Sequence, residues 1–373
     1  LIKLEDVEKV YPDGTKAVKG ISLEVEEGDT VVFVGPSGCG KTTTMKMINR
    51  LHEPTSGKIY IDGKNILEMD SIELRRDIGY VIQEIGLFPH LTIRDNIATV
   101  PKLKDWDDER IDKRVNELLE LMGLDPTEHR EKYPDELSGG QRQRVGVARA
   151  MACDPPILLM DEPFGAIDPI NREKLQDEFL DIQAKLKKTI GFVTHDIDEA
   201  IKMGDKIALL KDGKLVQYDT PSELLTNPAN EFVSNFVGTE RTLKRLNLTR
   251  VEEVMKEDPV TFNINDSVEK VEKYMDQKNV DYLMVVDDDN YYKGWIRRHD
   301  LEEKSGETVG EIMFREILTI EPGRPLKEAL SEMLRFNVGN LPVTNDEEKL
   351  IGILTFADLQ ELLGETYTAR GGI

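Results

Sequence analysis

The sequence predicts an α/β domain over residues 1–238 followed by a smaller repeated unit. Three observations carry that prediction. Short apolar, β-branched runs alternate with helix-forming runs through the first 238 residues, which is the pattern of strands wrapped by helices. A glycine-rich loop joins one of these strands to one of these helices. Beyond Val251 the chain repeats itself at a constant offset of 58 positions, so one supersecondary unit occurs twice. At 373 residues the chain is long for one domain and comfortable for two.

Taken in order, the clearest strands are TVVFVG at 30–35, PILLMDE at 156–162 and TIGFVTH at 189–195. Each is short, apolar and followed at once by polar or glycine-rich residues, as buried strands feeding a ligand edge should be. The run TTTMKMINRL after the first of them reads as a helix. The charged stretch TERTLKRLNLTR, residues 239–250, reads as a linker. The repeats then occupy 251–307 and 308–373, the second ending in a C-terminal tail. The offset places Met255 on Met313, Val280 on Val338, Gly294 on Gly352 and Asp300 on Asp358. Both copies hold an apolar strand, at 283–286 and 341–343, followed by a second strand around Gly294 or Gly352.

Composition narrows the function classes. No run approaches the roughly 18 to 20 apolar residues of a membrane helix, and LIKLEDVEKV lacks a signal-peptide core, so no membrane span is expected. There are two cysteines, Cys39 and Cys153, and Cys39 lies inside the glycine-rich loop; a disulfide framework is not expected, and a reducing cytosol is. A formal net charge of −23 argues against a nucleic-acid partner, which needs concentrated Lys and Arg.

The loop reads Gly35-Pro36-Ser37-Gly38-Cys39-Gly40-Lys41-Thr42, followed by Thr43, and satisfies G-x-x-x-x-G-K-[ST] between a strand and a helix. Backbone N–H groups in such a loop converge on phosphate oxygens at a helix N-terminus. Lys41 would hold the β- and γ-phosphates and the Thr42 hydroxyl would ligate Mg²⁺. The strand at 157–160 ends in Asp161-Glu162, a metal-associated carboxylate beside one able to polarise water. The loop alone leaves kinases, GTPases and many ATPases open.

The run Leu137-Ser138-Gly139-Gly140-Gln141 ahead of that strand narrows the choice, because LSGGQRQR together with the loop resembles the signature of ABC ATPases. The resemblance covers residues 1–238 and implies a P-loop ABC ATPase domain with a helical subdomain. It implies ATP sandwiched between two copies, with Ser138, Gly139, Gly140 and Gln141 of one facing the nucleotide on the other. By the same resemblance Tyr11 stacks on adenine, Gln83 touches Mg²⁺ and relays the permease's state, and Asp168 of Ala166-Ile167-Asp168 lies in the loop crossing the dimer. His195 contacts the γ-phosphate, and Glu162 is the catalytic carboxylate. Catalysis is thereby assigned to Glu162, His195 and Gln83, and Mg²⁺ to Thr42, Gln83 and Asp161.

The segments IGLFPHLTIRDNI, VPKLKDW and MKMINRLHEPTSGKI resemble importers of glycine betaine, carnitine, choline and proline betaine. That resemblance implies a homodimer, integral membrane permease subunits, an extracytoplasmic solute-binding protein, and a peripheral position on the cytoplasmic face of the membrane. Aromatic residues make up only 6% and form no recognisable cage for a quaternary amine, so the solute is expected to be recognised by other subunits. The alternatives are an importer of another small solute, such as an amino acid, and a nucleotide-sensing ATPase acting on a different partner.

The repeat resembles a tandem CBS pair, an α+β module. In Gly352-Ile-Leu-Thr355-Phe-Ala-Asp358 the resemblance implies that Thr355 and Asp358 contact a ribose and phosphate, from an adenine nucleotide or cyclic di-AMP; the same residues suit a helix cap. The first copy has Arg297 and Asp300 there, so one cleft rather than two is expected. Relatives under cyclic di-AMP control tend to carry Tyr and Arg where Asn340 and Phe356 stand here, a departure that argues against cyclic di-AMP and leaves ATP, AMP or an ionic-strength response open.

Overall fold

The computed structural model describes residues 2–82, 86–165, 167–238, 241–280, 282–303, 306–315 and 318–368. The chain divides after Gly238 into two compact units.

In the first unit a six-stranded sheet runs in the order Lys214–Asp219, Lys206–Lys211, Thr30–Val34, Thr189–Val193, Ile157–Asp161, Ile78–Val81. Its last five strands are parallel, and only the edge strand Lys214–Asp219 runs antiparallel, as the return of a hairpin. Every residue of the three central strands is buried, which explains their unbroken apolar sequences: a parallel strand covered on both faces has no polar side to alternate with. Because these neighbours are parallel, all three C-terminal ends emerge at one edge of the sheet. A second, antiparallel sheet of Ile2–Val10, Lys16–Val25, Ser56–Ile61 and Lys64–Asn65 shares a core with this one through Ile21, Ile59, Met45 and Phe33.

Helices Ile93–Ile97, Thr99–Leu103, Asp108–Leu121 and Pro126–His129 form a helical block ahead of the helix Gly139–Ala150. The longest of the four starts on an Asp107 cap that accepts from Arg110 N–H and buries Ile111, Val115, Leu118 and Leu119, a single stripe at helical spacing.

Among the described residues the second unit holds two three-stranded sheets, and its repeats are not self-contained. One sheet joins Thr261–Asn263, Tyr282–Val286 and Tyr292–Arg297; the other joins Asn340–Thr344, Leu350–Thr355 and the short strand Lys256–Glu257. Lys256 and Glu257 precede the first repeat's sheet in sequence yet pair with Ile353 and Gly352 of the second. Reciprocally, Phe314, at the start of the second repeat, bridges to Trp295 of the first. Met255 packs in the core of the second repeat, and its counterpart Met313 in that of the first. The glycines of the offset sit at these crossings: a β-carbon on Gly294 would collide with the Phe314 carbonyl, and one on Gly352 would crowd Met255 and Lys256. The leading segments are thus exchanged, so neither 251–307 nor 308–373 folds around its own residues alone.

Residues 239–250 do not form a linker throughout: Arg241–Leu248 is a helix, and Leu246 is fully buried in the core of the second repeat with Val251, Leu326 and Leu341. Its sequence looked polar because a single side of the helix meets that core, while Leu243 stays exposed.

Candidate functional site

The loop at 35–42 follows the end of strand Thr30–Val34 and runs into helix Lys41–Ile48. Gly35 and Gly40 both have positive φ, 148° and 104°. A β-carbon on Gly35 would strike the Leu210 carbonyl, and one on Gly40 would crowd that of Ala17, so the backbone itself demands glycine at both. The Lys41 ammonium is buried and donates to the carbonyls of Gly35 (2.7 Å) and Pro36 (3.2 Å), folding back over its own loop. Cys39 beside it is buried, and burial pushes its thiol up.

The neighbouring strand ends deliver the rest. Thr42 Oγ1 donates to Asp161 Oδ1 at 2.9 Å, across 119 residues of sequence. Asp161 is buried; burial raises its carboxyl above the usual range, outweighing the Thr42 hydrogen bond and the Lys46 charge that oppose it. Glu162 follows with φ 46°, a left-handed backbone that a non-glycine residue adopts only when its surroundings hold it, here through its N–H on the Val193 carbonyl (2.9 Å). Its Oε2 lies 3.2 Å from Nδ1 of His195, an exposed ring carried just beyond the third strand. Tyr11 reaches the same region from the other sheet, with its hydroxyl 3.5 Å from Thr43 Oγ1 and the His52 ring edge-on at 5.8 Å. The structure therefore gathers Tyr11, the loop from Gly35 through Thr43, Asp161, Glu162 and His195 into one cluster linked by contacts. Gln83 and Ala166 lie outside the described residues.

Ser138 to Gln141 belong to a different place. Ser138 caps helix Gly139–Ala150: its Oγ accepts from Gln141 N–H (3.3 Å), and Gln141 Oε1 accepts from Ser138 N–H (2.9 Å). These residues and Asp168 line a cavity of about 440 Å³ together with His129, Arg144, Ile167 and Lys174. No residue of the glycine-rich loop lines that cavity among the described residues. One chain therefore presents two separate anion-favouring surfaces, a loop with its carboxylates and a capped helix start.

In the second unit Thr355 and Asp358 are already engaged. Asp358 Oδ2 accepts from both the Thr355 N–H (2.9 Å) and its hydroxyl (2.6 Å), and Thr355 Oγ1 accepts from Asp358 N–H (3.2 Å). Lys256, from the exchanged leading segment, adds an ion pair at 2.7 Å to the other carboxylate oxygen. Burial alone would raise the Asp358 carboxyl, but Lys256 and Thr355 together hold it below the usual range. At the matching place in the first repeat the Arg297 guanidinium stacks on Phe314, 4.6 Å from its ring centre.

Two participants escaped sequence reasoning. Lys256 lies a hundred residues from Asp358 and meets it only through the exchange, so no local spacing announces it. His129 is buried behind Gln141 at 3.3 Å, and a lone histidine near the end of a four-residue helix carries no motif.

The ABC transporter family model matches residues 18–165, and the CBS domain model matches 251–306 and 309–365. The glycine betaine/carnitine/choline transport ATP-binding protein of Bacillus subtilis is 50% identical over 97% of this chain and 96% of its own length. The choline transport ATP-binding protein of the same species is 47% identical over 97% and 96%, and the osmoprotectant import ATP-binding protein of Salmonella typhimurium 44% identical over 99% and 98%. Among solved structures, a dimeric ATP-binding cassette in a post-hydrolysis state bound to ADP and Pi is 37% identical, with a TM-score of 0.54, covering 59% of this chain and 99% of its own. A dimeric bacterial ABC transporter cassette gives 38% identity, the same TM-score and the same coverage. With the phosphate loop, its carboxylates and the capped signature helix all in place, this chain belongs to the ATP-binding ATPase subunits of ABC transporters, in the branch that carries a tandem CBS unit.

Proposed function

We propose that this protein hydrolyses ATP to drive import of quaternary-amine osmoprotectants such as glycine betaine, carnitine, choline and proline betaine through a membrane permease. The observation that carries the substrate class is near full-length identity of 44–50% to proteins named for transport of these solutes. The same identity favours import over the readings of a non-transport regulator or an amino-acid importer. The permease and an extracytoplasmic solute-binding protein are the partners that follow, with the chain bound peripherally at the cytoplasmic face; no helix among the described residues is long and apolar enough to cross a membrane.

Two copies complete the site. The loop and carboxylates of one copy hold the nucleotide, and Ser138, Gly139, Gly140 and Gln141 of the other close over its γ-phosphate; the separation of the two surfaces within one chain supports this, as does the dimeric cassette bound to ADP and Pi. Tyr11 stacks on the base. Lys41 exchanges its two loop carbonyls for phosphate oxygens, a trade of neutral acceptors for charged ones. Thr42 and Asp161 are a hydroxyl and a carboxylate 2.9 Å apart, hard oxygen ligands of the kind Mg²⁺ takes alongside phosphates and water. The ion, when bound, neutralises charge on the β- and γ-oxygens. Gln83 is proposed as a further ligand and as the link to the permease. Glu162 orients the attacking water and accepts its proton as the γ-phosphoryl group passes to it, with ADP leaving; His195, held by Glu162, contacts the γ-phosphate. Asp168 lies at the seam between the copies.

The CBS unit is proposed to gate this cycle by binding an adenine nucleotide or cyclic di-AMP at Thr355 and Asp358, in exchange for Lys256. Calorimetric titration of the full chain carrying Lys41→Ala, which disables the cassette's own site, with ATP, AMP and cyclic di-AMP tests it; no heat with any of them refutes the sensor. The transport reading is tested by reconstituting the protein with its permease in vesicles and measuring ATP hydrolysis against betaine, carnitine, choline, amino acids and phosphate. Stimulation by the quaternary amines alone is expected, and stimulation by another class instead overturns the substrate.

A further inference from the structure

We infer that His129 is a positioning residue for ATP hydrolysis, setting the orientation of the Gln141 side-chain amide that holds the Ser138 backbone N–H and so places the residue whose hydroxyl meets the nucleotide. The inference rests on the reading that Ser138 of one copy completes the phosphate site of the other.

The chain of bonds starts at Asp125, whose carbonyl oxygen accepts the His129 N–H (3.0 Å) and lies 2.9 Å from His129 Nδ1. A carbonyl can only accept, so the ring proton sits on Nδ1 and the Nε2 lone pair points the other way. It faces Gln141 Nε2 at 3.3 Å and accepts from it. With its NH₂ drawn to His129, Gln141 turns its Oε1 toward the Ser138 N–H, 2.9 Å away. The reversed amide would set NH₂ against N–H at Ser138 and oxygen against the lone pair at His129, two repulsions at once.

That orientation matters because the Gln141 Oε1 holds the Ser138 backbone from which the hydroxyl projects. The Ser138 hydroxyl oxygen accepts from the Gln141 backbone N–H at 3.3 Å, which leaves its O–H to donate into the cavity it lines with Gly139, Gly140 and Asp168. Glu128 lies 3.8 Å from His129 Nε2, outside hydrogen-bonding distance, and is held by Lys132 at 2.8 Å. Arg144, which also lines the cavity, donates to the Met122 carbonyl (3.2 Å) and pairs with Glu178 (2.5 Å). His129 touches no reacting atom; it acts through Gln141.

The test uses the full chain. His129→Leu removes the acceptor at similar volume and is expected to lower kcat about tenfold, the worth of one oriented hydrogen bond, with KM for ATP and the affinity for a fluorescent ATP analogue unchanged. His129→Gln, whose amide oxygen stands where Nε2 was, restores most of the turnover. In a Gln141→Glu background, where either carboxylate oxygen can accept from Ser138 N–H, His129→Leu has no further effect. Equal loss in His129→Gln and His129→Leu overturns the inference, as does full turnover of His129→Leu while Ser138→Ala is impaired. Full turnover of Ser138→Ala overturns instead the shared-site reading beneath it. Should His129→Leu fail to fold, ¹⁵N spectra of the wild-type histidine rings decide: a ring protonated on Nδ1 is expected for His129, and one protonated on Nε2 refutes the relay.

Discussion

Two hydroxyl–carboxylate pairs, one in each unit, look alike in sequence terms and differ in what surrounds them. Thr42 and Asp161 meet at 2.9 Å across 119 residues, one in the first turn of a helix and the other at the end of a strand. Thr355 and Asp358 meet at 2.6 Å, three residues apart, and close a helix start upon themselves. The carboxyl groups report the contrast. Asp161 is raised by burial, so its charge is incompletely met by the protein; Asp358 is lowered despite burial, because Lys256 already meets it. A buried carboxylate wanting a cation is what a metal-nucleotide site requires, whereas one supplied with a lysine is a completed structural joint until something displaces that lysine.

Catalysis offers the sharpest way to break this contrast. Glu162→Gln, beside Asp161 on the strained turn, is expected to keep ATP binding and lose turnover by about 100-fold or more, read as phosphate release; near-normal hydrolysis would remove Glu162 from its role. Asp161→Ala should fall as far, and with it the stabilisation that MgATP gives over ATP alone in thermal melts.

Stability offers the next. Asp161 has a folded pKa above its unfolded one, so its charge costs stability at neutral pH, and Asp161→Asn should raise the melting temperature of the nucleotide-free protein. Asp358→Asn should do the reverse, lowering the stability of the second unit by about 1 kcal/mol through loss of a charged cap and of the ion pair to an exposed lysine. The same sign for both would erase the distinction.

The smallest effect is that of acid. The lowered Asp358 carboxyl contributes stability that is full above the unfolded value of 3.8 and is lost as pH falls through its folded value. The second unit should therefore weaken below about pH 4, and Asp358→Asn should flatten that slope. An unchanged slope would mean that Lys256 leaves the pair in solution.

Legibility followed the range of the interaction. The glycine-rich loop was readable because its function needs consecutive residues with fixed backbone demands, such as Gly35 under the Leu210 carbonyl. The run Leu137–Gln141 was readable through its resemblance to the ABC signature, and its reciprocal cap only in the structure. The helix Arg241–Leu248 was not, since one fully buried leucine in a polar run gives little periodic signal until its docking surface exists.

By itself the sequence determined the parallel sheet, the phosphate loop, the signature helix and the existence of two repeats, because each is written in local spacing, apolar runs or a constant offset. Only the tertiary structure decided that Lys256 and Phe314 cross to the opposite repeat, that Asp161 is raised by burial while Asp358 is paired with Lys256, and that His129 stands behind Gln141. Those outcomes depend on contacts between residues far apart in the chain, and an offset of 58 records that two copies exist without recording which copy each segment packs against.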